Sequence, residues 1–581
     1  MKPKPDVFFG QSLREANRTS PVWLLKTYLL LLILWASYPH GLLAANVIWT
    51  GGQGGTRALW SLKNNWSGGG NTGPIGGDNL VFTGNNKLAN TNDLAAGTSF
   101  AGILFDASAG AFVLSGNAIT LTGSVTNQST NLQTLNLAIT LGNPITFEAN
   151  SADLVLGGVV SGNNGLVKSG DHDLFLTAAN TYSGGTIVNR GTLALGGSGT
   201  LGATNGALSI VAGMVNLGGL TRTNGVLTLN TGTLTNGTLE ATAFFLTNAG
   251  TVAAVLAGIG TVTKSGSGTT VLSGANIHTG GTILNSGTLA LGASEALGAG
   301  SATFASNATI LALTNLKITN HVVIAAGAAG TFQVSPALTQ TNTGVISGLG
   351  SLVKAGAGTL QLTAANTYSG GTVIQAGTLV LNRGGNGNGG TISGTIAIHG
   401  GTLLLGQANQ ISDGSEVILS GGSLHTAGFA DRVGRLSVDA SSEIRGLVIS
   451  IGGGVPTGND FLFSGVNLSN YVTAGGGSVL DLGAGYGSGT TINFASSNFV
   501  DWVGYSTASL NNFTEKIMFG DTGLRAQISF NATTGITFIT AVPEPGVRVA
   551  AGFLVVLIGM VEYKRRKNTG DVKHPGSDKC V

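Results

Sequence analysis

Residues 165–195 read GLVKSGDHDLFLTAANTYSGGTIVNRGTLAL. After Gly191 the apolar residues alternate, with Leu193 and Leu195 to one side and Thr192 and Ala194 to the other. A period of two is that of a strand. Gly184-Gly185 and Gly191 punctuate the stretch, so it predicts strand, Gly-Gly turn, strand, Gly turn, strand.

The stretch recurs twice. Anchored on Lys168, Lys264 and Lys354, each copy has Ala-Asn before a glycine pair: Gly184-Gly185, Gly280-Gly281 and Gly370-Gly371. Gly191-Thr-Leu, Gly287-Thr-Leu and Gly377-Thr-Leu follow. The step from the lysine to the first glycine of the pair is the same in every copy, and so is the step from the second glycine to the next anchor glycine. Between copies the spacing differs: Lys168 to Lys264 is a longer step than Lys264 to Lys354. Constant spacing within copies and variable spacing between them predicts whole inserted turns of a solenoid. Looser echoes, 206–218 and 394–406, read as further rungs.

Composition agrees. Only 9% of the 581 residues are charged and 96 are Gly. Gly, Thr, Asn and Ser are poor helix formers but suit turns and stacked strands. The expected fold is therefore all-β: one long right-handed parallel β-helix with capped ends, plus an N-terminal signal helix and a C-terminal hydrophobic helix. At roughly 20 residues per rung, residues 90–489 would make some 20 rungs, a rod near 100 Å long. The lysine-to-Gly-Thr-Leu pattern resembles the autotransporter-associated β-strand repeat, with the best copies at 165–202, 260–298 and 350–382. That resemblance implies a surface-displayed, passenger-like β-helix. The chain shows no barrel-length run of alternating strands before its tail.

The ends read as addresses. Residues 1–45 carry a basic start, an apolar run and small residues at Ala44 and Ala45, where a signal peptide would be cleaved. An uncleaved anchor is the other reading. At 542–567 stand Val542-Pro543-Glu544-Pro545, an apolar stretch, and Lys564, Arg565, Arg566 and Lys567; residues 568–581 would be a cytoplasmic tail. This order resembles the PEP-CTERM sorting signal, which implies an exosortase-type processing enzyme as partner. A plain membrane anchor is the alternative. Residues 46–89, with Trp49, Trp60 and Trp66, read as an N-terminal cap or as a carbohydrate-stacking platform. Residues 490–541 read as a C-terminal cap or a small β subdomain.

Chemistry is sparse. Asp171-His172-Asp173 sits in a turn, and the other copies have Ser267 and Ala357 in place of Asp171. The three lysines recur once per copy, which suits an architectural, face-lining role better than one active site. His278 stands where the sister copies have Tyr182 and Tyr368, so it is a poor metal ligand. No metal, nucleotide or nucleophile motif appears, and the calcium nonapeptide is absent. We expect no catalytic residue, cofactor or metal. With no basic stripe, a nucleic-acid partner is not expected. The sequence thus points to an exported structural or adhesive protein associated with extracellular polysaccharide. A β-helix polysaccharide lyase or hydrolase is the alternative.

Overall fold

The computed structural model describes residues 44–52, 56–69, 73–384, 390–439, 442–445 and 448–451, and beyond them the backbone of short strands between 461 and 543. The predicted signal segment up to residue 43, the sorting motif from Glu544 onward and the apolar tail lie outside the described residues. Among the described residues no helix is long and apolar enough to cross a membrane.

Among the described residues the chain winds as an all-β parallel solenoid of about 17 turns. At about 4.8 Å per rung this is a rod of about 80 Å. The expectation of some 20 rungs covers residues 90–489, and most of those beyond 451 lie outside the described residues. Most turns offer up to three short strands, one per face, while Met214–Leu229 and Thr233–Leu246 run on across all three faces. On the first face Leu166–Ser169 pairs with Thr186–Val188. On the second, Leu174–Leu176 pairs with Thr192–Leu195. On the third, Thr98–Phe100, Ile119–Leu121, Ile139–Leu141 and Val160–Ser161 stack in register. Leu, Ile, Val and Phe alternate inward from every face into one continuous apolar core. Period two and burial therefore act together: shifting a strand by one residue would turn its apolar set outward.

The variable spacing between repeat copies has a different cause from whole inserted turns. Thr261–Lys264, in the second copy, lies on the first face, paired with residues 243–246 at the end of Thr233–Leu246. Ser351–Ala355, in the third copy, lies on the second face, in line with Thr288–Leu291, Ala308–Ala312 and Ala329–Val334. The third copy is thus moved round the rod by one face.

The N-terminal end closes on itself. Asn46–Trp49 pairs antiparallel with Trp66–Gly68 and parallel with Asn79–Phe82. Trp49 and Trp60 are fully buried and Trp66 nearly so. Their rings pack, largely edge to face, against each other and against Phe82 and Phe100, and Phe82 in turn meets Phe105 and Phe112. Buried rings offer no face to a sugar, which excludes the stacking-platform reading for these three tryptophans. Toward the C-terminus the pairing turns antiparallel: Thr491–Phe494 and Leu524–Asn531 flank Ile536–Pro543.

Candidate functional site

The residues that recur in the repeat come together at the junctions between rungs. The lysines do not line a face: Lys168, Lys264 and Lys354 are fully buried. Lys168 Nζ donates to the carbonyls of Ser169, Gly170 and Arg190 at 2.7, 2.8 and 3.1 Å. Lys354 Nζ donates to those of Ala355, Gly356 and Ala376 at 2.8, 2.7 and 3.0 Å. Lys264 Nζ reaches Ser265 and Gly266. Burial pulls the amines of Lys168 and Lys354 down to about 8, with Asp173, Asp171 and Asp153 opposing the fall at Lys168. Burial lowers Lys264 as well. Carbonyls only accept hydrogen bonds, so the three-carbonyl cage favours the charged ammonium. Lys168 and Lys354 each close a turn by tying their own rung to the next.

The anchor glycines follow from the lysines. Gly191, Gly287 and Gly377 have φ of 62°, 71° and 68°. A Cβ there would lie 2.7, 2.9 and 2.7 Å from the lysine Nζ. Any side chain would strain the backbone and also collide with the amine. The paired glycines form the corner itself. A Cβ on Gly184, Gly280 or Gly370 would strike backbone of the neighbouring rung, while Gly185, Gly281 and Gly371 take φ of 83°, 80° and 84°.

The asparagines stand in for a missing strand. Asn180, Asn276 and Asn366 each accept from a backbone N–H of the rung before, at Val160, Leu256 and Ile346, at 2.8 Å. Their amides donate to Thr200, Ala296 and Thr391 of the rung after. Asn276→Ala would leave Leu256 N–H and Ala296 C=O without these bonds inside the rod, at a cost of about 2 kcal/mol. Native-state hydrogen exchange should show faster exchange at Leu256.

Beside them, the Tyr182 and Tyr368 hydroxyls bond to Thr186 and Thr372 at 2.6 Å. Burial raises both phenols above their usual range. His278 takes the same place with a longer contact, Nε2 to Thr282 Oγ1 at 3.3 Å, and its Nδ1 has no partner. Burial lowers the imidazole to about 4. The folded state therefore resists a protonation that the unfolded chain accepts near 6.5. Stability is full above that value and falls as the pH drops from 6.5 toward 4, by up to about 3 kcal/mol. His278→Tyr should remove this acid sensitivity, read as the change in urea midpoint between pH 7 and pH 4.5.

The carboxylates sit at an exposed edge. Asp171 pairs with Arg190 at 2.7 Å, both well exposed. Asp153 accepts the Asp173 amide at 3.0 Å and lies 3.8 Å from His172. Among the described residues no group of three or more His, Cys, Asp or Glu could hold a metal ion.

Fold and junctions together define a repeat-built parallel β-solenoid whose recurring polar residues are engaged inside the rod. The passenger-associated transport repeat family matches the chain at residues 166–195, 262–291 and 352–381, the three segments just described. A further similarity is to the adhesin BmaC autotransporter of Brucella suis biovar 1 (strain 1330), 32% identical over 171 residues. That alignment covers 28% of this chain and 4% of the adhesin, so the chain matches only a small part of that protein's length. No solved structure matches the chain.

Proposed function

We propose that this chain is the exported, surface-displayed rod of an adhesin-like structural protein, non-catalytic and wound right-handed. Support comes from a repeat shared with autotransporter passengers, on a solenoid whose recurring lysines and asparagines act as internal fasteners. Cleavage after Ala44 or Ala45 would release the signal. Processing near Pro543-Glu544-Pro545 by an exosortase-type enzyme, with Lys564 to Lys567 held at the cytoplasmic side, would place the rod at the envelope.

Its partner in this reading is neutral extracellular polysaccharide. The observation that favours it is a column on the third face: Ser99, Thr120, Thr140 and Ser161 stack in register, half-buried, one per rung. Residues 97–101, 117–123, 136–142 and 157–163, which form this part of the face, contain no charged side chain. Hydroxyls at rung spacing can bond sugar hydroxyls repeatedly, and weak bonds add along one chain. Thr120→Glu with Thr140→Glu should weaken co-sedimentation with insoluble neutral glucan by about tenfold (about 1.4 kcal/mol). Unchanged binding would rule this face out.

Among the described residues, the lyase or hydrolase alternative would act at the edge formed by Asp153, Asp171 and Asp173. There Asp171 is occupied by Arg190 and Asp153 by the Asp173 amide. Glycan turnover that disappears in Asp153→Asn and Asp173→Asn would favour it over display.

A further inference from the structure

Gln340 and Asn342 are two residues apart on Thr339–Asn342, and both point into the apolar core. Their in-register neighbours are Leu316 and Ile318 on one side, Leu360 and Leu362 on the other. Gln340 is fully buried and Asn342 is 2% exposed. One hydrogen bond joins them, Gln340 Nε2 to Asn342 Oδ1 at 2.9 Å. Gln340 Oε1 and Asn342 Nδ2 have no partner.

Turning the amides over does not remove this mismatch. With both reversed, Asn342 would donate to Gln340, and the groups left over would be one donor and one acceptor again. Reversing only one sets two donors or two acceptors against each other. An unmet pair of this kind in a core costs free energy that native proteins avoid by supplying a partner.

We propose that this rung holds an internal water, accepting from Asn342 Nδ2 and donating to Gln340 Oε1. Water is the small species that both donates and accepts, whereas a bare cation would leave the donor unmet and a halide the acceptor. The chain takes a longer turn from Val322 to its partner Ile346, and from Leu316 to Gln340, than from Ala302 to Val322 or from Gln340 to Leu360. The longer turn lies between the second and third repeat copies, where the repeat moves round by one face.

A high-resolution crystal structure of the full chain tests this directly. The expected result is a density peak within hydrogen-bonding distance of both side chains, absent from crystals of Gln340→Leu. Amides closed on each other through two direct bonds, or a core filled by neighbouring side chains with no peak, would overturn the proposal. The wild-type map decides the matter even if the variant does not fold.

Discussion

Lys354→Met is expected to lower the stability of the third repeat copy by about 3 kcal/mol. Methionine matches the lysine stem in volume and apolar character, so the cavity is small. What is lost is the donor. The carbonyls of Ala355, Gly356 and Ala376 would each lose a charge-assisted bond of 2.8, 2.7 and 3.0 Å within the rod. These bonds are partly buried, so each carbonyl left without its partner costs toward the lower end of the about 1–3 kcal/mol of a buried acceptor. Relief from burying an ammonium offsets part of that sum, so the loss stays below three full penalties. Because solenoid turns depend mainly on their neighbours, the damage should be local. Hydrogen exchange should rise in Ser351–Ala355 and Thr372–Ile374 and leave the first copy unchanged. Lys317→Met, whose side chain points outward from Leu316–Ile318, should stay within about 0.5 kcal/mol of wild type.

Trp60→Ala should cost about 3–5 kcal/mol at the N-terminal end. The indole is fully buried and about 6 Å from the rings of Trp66, Phe82 and Phe100. Its Nε1 donates to Asn90 Oδ1 at 2.7 Å, and its carbonyl accepts from Trp66 Nε1. Asn90 Nδ2 is already unpartnered, so losing the indole would leave that buried amide with no side-chain bond to the cap. An opened end would also bare the first rung to other chains. Scanning calorimetry should show an earlier transition, and light scattering should show association below it. Trp60→Phe should recover much of the packing but not the Asn90 bond. Unchanged stability would mean that Trp60 does not hold the end closed.

The strand and turn pattern of 165–195 is legible because glycine punctuation and period two are both local properties. For the lysines the two signals conflict. Charge suggests a face-lining side chain, whereas period two buries it: Lys168 lies two residues after Leu166, Lys264 two after Val262, and Lys354 two after Leu352. The structure follows the period. The glycine beside each lysine is legible as a turn, but its collision with Nζ is not, since Lys168 and Gly191 meet only when one rung stacks on the next. The one-face displacement of the third copy cannot be read from the unequal spacing of the copies. It depends on the individual turn lengths, which are set by how each corner packs. The tryptophans are legible in the sequence as cap residues or as a sugar platform, and their burial removes the second reading.

We propose that this solenoid is exported and displayed at the cell surface. Intact-mass and terminal-peptide mass spectrometry on protein recovered from the envelope and medium of the producing cells tests it most directly. The predicted result is a mature chain that begins at Ala45 or Asn46 and ends near Pro543–Pro545. A chain that keeps residues 1–45 and is found only inside the cell would contradict it.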